Sequence, residues 1–320
     1  MKQIHLPNTD LVVSEICLGS GPFGGSLGRK DSFALLDAYV EQGGTFIDAA
    51  HIYNDWIPGE KSRSEKTIGA WMKERGNRAS LVIGTKGAHP FLHSMQVPRL
   101  SSQEIVTDLD ESLAFLQVET IDLYWLHRDD RSRPVEEILG TLNAQREAGK
   151  IRYFGASNWR ADRLREAQEY AARAGVQGFS ADQVLWNVAV IDHANLPDKT
   201  MFAMDQDLLR YHHETGFPAI PYTSQANGLF DRIAKGEYDG LGQNLKQTYP
   251  KAANLDRYAR IREVAEQTGK TVNQIVLAYL LNQPFVTVPI IGTTKVSHLL
   301  DSLQAAGTEL TAAQVEYLAG

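Results

Sequence analysis

Thr45-Phe46-Ile47-Asp48-Ala49-Ala50-His51-Ile52-Tyr53 is the stretch whose reading decides the fold. A short run of strand character ends in an acid, and a phenol follows within the next turn. Two later runs repeat the pattern. Leu81-Val82-Ile83-Gly84-Thr85-Lys86 ends in an amine, and Ile121-Asp122-Leu123-Tyr124-Trp125-Leu126-His127 ends in an imidazole. Open α/β and barrel proteins gather their chemistry at the C-terminal ends of parallel strands, so Asp48, Tyr53, Lys86 and His127 are expected to meet. Together, an acid, a phenol, an amine and an imidazole point to proton transfer to a carbonyl.

Outward from that stretch, short β-rich runs alternate with segments of helical period. Lys2 to Leu6 and Leu11 to Val13 flank Pro7-Asn8-Thr9-Asp10 and read as a β-hairpin ahead of the main fold. Strands are expected near Glu15–Leu18, Thr45–Ile47, Leu81–Gly84, Ile121–Leu126, Tyr153–Gly155, Phe179–Val184, Ala219–Tyr222 and Val286–Ile291. Helices are expected over Ser32–Gln42, Ser64–Arg75, Ser102–Leu116, Pro134–Ala148, Arg160–Ala174, Asp205–Glu214, Leu255–Thr268 and Val272–Leu281. Ser101-Ser102-Gln103-Glu104 is a capping pattern, Pro134 suits a first turn, and Gly149 and Gly175 are stops. Strand–helix alternation implies a parallel sheet. Eight such units with no linker predict a (β/α)8 TIM barrel, one α/β domain over residues 1–320, with an N-terminal β-hairpin. Thr223 to Asn254, polar and glycine-containing, reads as a binding loop.

With 320 residues, 43% hydrophobic and 22% charged, the chain can bury a large core. Its 32 basic and 39 acidic residues give a net charge of −7, and scattered basic residues argue against a nucleic-acid partner. Cys17 is the only cysteine, so there is no intrachain disulfide or thiolate metal cluster, and a reduced cytoplasm is the expected setting. The N-terminus lacks a signal peptide's apolar core, and no run approaches the ~18 apolar residues of a membrane span. Oligomeric state is not encoded legibly.

Gly19-Ser20-Gly21-Pro22-Phe23-Gly24 matches the G-x-G-x-x-G dinucleotide fingerprint. That motif needs its third glycine in the opening turn of a helix, whereas Pro22 and the continuing Gly24-Gly25-Ser26-Leu27-Gly28-Arg29 describe a loop. A glycine loop that lets a ligand approach the backbone suits a barrel equally well. Lys86, at the end of an apolar strand, needs an anionic partner, and Asp48 can supply it. A phenol is a weak acid at neutral pH, and an adjacent ammonium favours its anion. Lys86 is therefore expected to tune Tyr53, with His127 as a second hydrogen bond to the carbonyl oxygen. His89 and His93 have an i, i+4 spacing, but Pro90 between them argues against a helical metal pair, and no metal is expected.

Phe46-Ile47-Asp48-Ala49-Ala50-His51-Ile52-Tyr53, Gly84-Thr85-Lys86 and Asp122-Leu123-Tyr124-Trp125-Leu126-His127 resemble the aldo-keto reductase family over essentially the whole chain. The resemblance implies a (β/α)8 barrel that binds NADP(H) without a Rossmann domain and reduces an aldehyde, ketone or sugar-like carbonyl to an alcohol. It makes Tyr53 the acid, supported by Asp48, Lys86 and His127. It also implies that Gly21 borders the cofactor, that Ser157, Asn158 and Gln183 hold the nicotinamide carboxamide, and that Trp186 lies under the ring. Tyr222, Thr223, Ser224 and Gln225 resemble the pyrophosphate loop, and Gly292, Thr294 and Lys295 the adenosine 2′-phosphate segment. At the adenine, His298 and Ser302 replace the family's frequent Arg or Gln and Asn, so NAD(H) stays open as the alternative cofactor.

The partner implied is a small-molecule carbonyl compound. Phe23 and Trp56 are expected to wall its pocket, with His89 to His93 and the long loop after the seventh strand, while Arg128-Asp129-Asp130-Arg131 reads as a solvated loop, with binding of a sugar-like substrate's hydroxyls as the alternative. A second function on the same barrel is an NADPH-binding regulatory or interaction subunit with little turnover.

Overall fold

The computed structural model describes residues 1–320. Strands β1 (Gln3–His5) and β2 (Val12–Ser14) form the N-terminal hairpin, with Ile4 opposite Val13. The main sheet follows with β3 (Cys17–Gly19), β4 (Phe46–Asp48), β5 (Val82–Gly87), β6 (Ile121–Leu126), β7 (Ile151–Ser157), β8 (Asp182–Gln183) and β9 (Ile290–Ile291). These are parallel, in the order β8-β7-β6-β5-β4-β3-β9.

Residues 218–222 close the barrel as its remaining stave. Ile220 N–H donates to Asp182 O at 2.7 Å and Tyr222 N–H to Val184 O at 3.0 Å on one side. On the other, Ala219 N–H donates to Val286 O at 3.0 Å and Ile290 N–H to Pro221 O at 2.8 Å. The expected strand over Ala219–Tyr222 is thus present as bridges rather than a regular ladder. Pro218, Pro221 and Pro289 are the reason, since none has an N–H to donate.

Twelve helices surround or follow the strands. Eight lie near their expected places: α1 (Arg29–Glu41), α2 (Arg63–Arg75), α3 (Ser102–Leu116), α4 (Val135–Glu147), α5 (Ala161–Ala174), α6 (Gln206–Thr215), α9 (Lys251–Thr268) and α10 (Val272–Leu281). Ser101 and Glu104 form the expected capping box before α3. Pro134 sits one residue earlier than expected, as the N-cap of α4. Four more are α7 (Leu229–Ala234), α8 (Gln243–Thr248), α11 (Val296–Leu303) and α12 (Ala312–Ala319). The first two correct the reading of Thr223 to Asn254 as a loop. Leu229, Phe230 and Ile233 share one apolar face of α7 and are buried, so the segment folds onto the core.

Apolar residues divide into two clusters. The larger packs the helices against the outside of the strands. Inside the barrel, Phe46, Leu123, Trp125, Ile220 and Val288 meet Leu6, Leu11 and Val13 of the hairpin, which plugs the N-terminal end. That leaves the C-terminal end of the strands as the mouth. Gly24 lies in a turn with φ +69°, its N–H donating to Leu27 O, and α1 begins only at Arg29. The glycine loop is therefore not a Rossmann turn.

Helix packing sets a testable contrast. A Cβ on Gly69 of α2 would lie 2.5 Å from Phe115 O and 2.7 Å from Leu116 O of α3, whereas one on Gly140 of α4 meets nothing. In an open helix site, Gly→Ala stabilises by about 1 kcal/mol. Gly140→Ala is expected to raise the melting temperature. Gly69→Ala is expected to lower it, because backbone oxygens cannot move aside, and thermal melts of the two variants check the opposite signs.

Candidate active site

Three strands deliver the central cluster. Asp48 ends β4, Lys86 lies in β5, and His127 directly follows β6. Past β4 the chain stays paired with β5, Ala49 N–H donating to Gly84 O at 2.8 Å and His51 N–H to Lys86 O at 2.9 Å. It then turns, with Tyr53 N–H donating to Ala50 O at 3.1 Å, which brings the phenol back over the strand ends. Asn54, at φ 73°, holds this turn to the first loop by donating to Gly21 O at 3.1 Å and Phe23 O at 2.9 Å. Sequence reasoning passed over Asn54, although Asn is among the residues that best tolerate the left-handed region.

Lys86 is the centre of the cluster. Its Nζ donates to Asp48 Oδ2 at 2.6 Å, Ala49 O at 2.6 Å and Tyr53 Oη at 3.0 Å. An ammonium has three donors and no acceptor, so all three are used and the Tyr53 oxygen must accept. The Tyr53 proton is then free to point elsewhere. Asp48 Oδ1 accepts from Gln183 Nε2 at 2.9 Å, a tie from β8 that the sequence did not announce.

Burial governs the charges. Asp48 is 1% and Lys86 2% exposed, while Tyr53 is half-buried. Burial pushes the Asp48 carboxyl up against the pull of Lys86. It also opposes charge on Lys86, but Asp48 and Tyr53 hold that ammonium above the ordinary lysine range. His127 falls well below the usual histidine value through burial and the Arg128 charge, and is neutral. Its ring lies 6.2 Å from that of Tyr53 and 4.6 Å, edge-on, from that of His89. His89 is itself pushed down to about 4 by burial and by Arg128.

Three buried polar atoms beside this cluster have no protein partner: Trp125 Nε1, His127 Nδ1 and Gln183 Oε1. An unpaired buried acceptor is costly unless a ligand satisfies it. Ser157 ends β7 and is buried, next to Asn158. Asn158 has both ends of its amide occupied, Nδ2 donating to His127 O at 3.1 Å and Oδ1 accepting from Tyr222 Oη at 2.7 Å and Phe202 N–H at 2.9 Å. A ligand amide bonding Asn158 would displace one of these.

Other expected contacts separate into presented and withheld groups. Gly21 and Gly292 have open space where a Cβ would stand. Thr294, Lys295 and His298 are exposed around the start of α11, Thr223 is half-buried, and Trp56 is 57% exposed. By contrast, Ser224 Oγ donates to Ile290 O at 2.5 Å, and Ser302 Oγ donates to His298 O at 2.8 Å. Gln225 Nε2 donates to Asn273 Oδ1 at 2.8 Å and Ser302 Oγ at 3.0 Å. These three side chains brace the rim, with the Ser224 and Ser302 protons and the Gln225 NH2 group engaged by the protein.

Two expectations are corrected. Phe23 is fully buried in the core and walls no pocket. Arg128-Asp129-Asp130-Arg131 is no solvated loop: Arg128 and Asp130 are each 7% exposed, and Arg163 reaches Asp129 at 3.4 Å. Trp186 stacks on Phe285 at 5.9 Å, meets Tyr279 edge-on at 6.0 Å and also borders an open cavity.

The profile of the Aldo/keto reductase family matches residues 15–320. Similar proteins include the aldo-keto reductase ausK of Aspergillus calidoustus, 30% identical over 99% of this chain and 80% of that protein. Norsolorinic acid reductase B of Aspergillus parasiticus is 30% identical over 97% of this chain and 81% of its own length. An aryl-alcohol dehydrogenase [NADP(+)] of Phanerodontia chrysosporium is 28% identical over 98% and 83%. No helix is long and apolar enough to cross a membrane.

Proposed function

The chain belongs to the aldo/keto reductase family, and from that premise we propose that it reduces a small carbonyl compound with Tyr53 as the proton donor. It is an oxidoreductase that uses NADP(H), which when bound supplies the hydride. The observation that carries the Tyr53 role is the threefold bonding of Lys86. With its oxygen accepting from an ammonium, Tyr53 can give its own proton to the carbonyl oxygen, and the resulting phenolate faces a positive charge already in place. Asp48 and Ala49 O keep that ammonium from swinging away. Neutral His127 still carries one N–H and can hold the same carbonyl oxygen.

Cofactor placement follows from what is left open. Gln183 Oε1 would accept from the nicotinamide amide, beside Ser157 and Asn158. Gly21 and Gly292 leave room for close approach to the backbone, and Thr294 and Lys295 would meet the 2′-phosphate. Lys295 has no carboxylate partner and caps the N-terminus of α11, where an anion is favoured. Lys295→Gln is expected to weaken NADPH binding about tenfold and leave NADH binding unchanged, since a charge-assisted contact is lost only with the phosphate. Fluorescence titration of each cofactor without substrate reads this directly.

Substrate class is approached through the relatives. One is named for aryl alcohols, and the exposed Trp56 offers an aromatic face at the mouth. Steady-state NADPH oxidation with aryl aldehydes, ketones and sugars tests the function. Turnover of aryl aldehydes supports it, and tight NADPH binding with no turnover of any carbonyl favours the regulatory subunit instead.

A further inference from the structure

The loops after β5, β6 and β7, with residues 199–202, enclose a cavity of about 250 Å³. Its wall carries Arg128, Arg131, Arg160 and Lys199 against one acid, Asp129. Two of these cations are neutralised, Arg128 by Asp198 at 3.0 Å and Arg131 by Asp162 at 2.6 Å. Asp129 is taken by Arg163. Arg160 and Lys199 have no carboxylate partner. The Arg160 guanidinium lies over the Phe202 ring, 4.8 Å from its centroid, and Lys199 Nζ donates to the backbone oxygen of Ala194 at 2.8 Å, so that both residues stand between this cavity and an adjoining one that they also line. Arg160 is also the N-cap of α5, a 14-residue helix whose first turn has no side-chain cap, which adds partial positive charge to the same wall.

The cavity borders the groups that hold His127. Asn158 and Arg128, both in its wall, donate to His127 O at 3.1 and 2.8 Å. Pro90, also in the wall, accepts from His89 Nδ1 at 2.6 Å, and His89 meets the His127 ring. Lys295 lies past β9, next to β3, whereas β6 and β7 stand on the opposite side of the closed barrel. These cations are therefore distinct from those that would meet a cofactor phosphate.

We propose that Arg160 and Lys199 form an anion subsite for the substrate, so that the enzyme selects carbonyl compounds bearing a carboxylate or phosphate group. The proposal rests on the reading of Tyr53 and its neighbours as a carbonyl-reducing centre. A guanidinium and an ammonium that share a cavity wall and have no carboxylate partner gain charge-assisted hydrogen bonds from such a group that its neutral analogue does not offer.

The test is NADPH oxidation with two matched pairs: 4-carboxybenzaldehyde against methyl 4-formylbenzoate, and glyceraldehyde 3-phosphate against glyceraldehyde. At least one charged member is expected to have kcat/KM about tenfold or more above its neutral partner, mainly through KM. The preference is expected to shrink as salt is raised and to collapse in the Arg160→Gln/Lys199→Gln double variant. The pair that shows it identifies carboxylate or phosphate as the group recognised. Equal kcat/KM within both pairs, or a preference that survives the double substitution, overturns the subsite while turnover of the neutral aldehydes leaves the Tyr53 reading standing. No turnover of any member overturns both.

Discussion

Tyr53→Phe is expected to lower turnover by about three orders of magnitude while NADPH affinity changes less than about twofold. The substitution removes one oxygen and keeps the ring, which sits 6.2 Å from His127 and under the Lys86 ammonium at 4.6 Å. Lys86 retains Asp48 and Ala49 O as acceptors, so no buried charge is left unpaired. Stability is expected to fall by about 1 kcal/mol at most, the net worth of one hydrogen bond. Steady-state kinetics and a cofactor titration on the same preparation separate proton delivery from binding. A fall in both together would place Tyr53 in the cofactor site instead.

Lys86→Met combines a large loss of activity with a large loss of stability. Asp48 is almost wholly buried and would keep only Gln183 as a partner, and breaking a buried ion pair from one side costs about 3–5 kcal/mol. Asp48→Asn added to Lys86→Met removes the stranded charge. The double variant is expected to recover much of the lost stability in urea denaturation and none of the turnover. Burial already raises the Asp48 carboxyl, so the single variant is expected to regain part of its stability as the pH falls and Asp48 takes up a proton. A Lys86→Met protein as stable as the parent would contradict the ion-pair geometry.

The sequence carried the barrel and the meeting of Asp48, Tyr53 and Lys86 because both rest on local signals. Strand–helix alternation exposed the parallel sheet, and polar residues ending apolar runs exposed Asp48, Lys86 and His127. The failures have a shared cause, which is tertiary. Phe23 stands in a glycine loop that looks exposed, yet its ring turns into the core. Nothing local tells that Arg128 is buried beside Asp198. Other misses were legible. Thr311-x-x-Gln314 is a capping box ahead of α12, and Leu229, Phe230 and Ile233 have helical spacing inside the segment read as a loop.

Single-turnover mixing tests the central claim most directly. Enzyme saturated with NADPH is mixed with an aryl aldehyde, and loss of nicotinamide absorbance is followed in the parent and in Tyr53→Phe. The account predicts rapid single-turnover oxidation in the parent and a rate about a thousandfold lower in the variant, with unchanged NADPH affinity. Equal rates in the two proteins would contradict it.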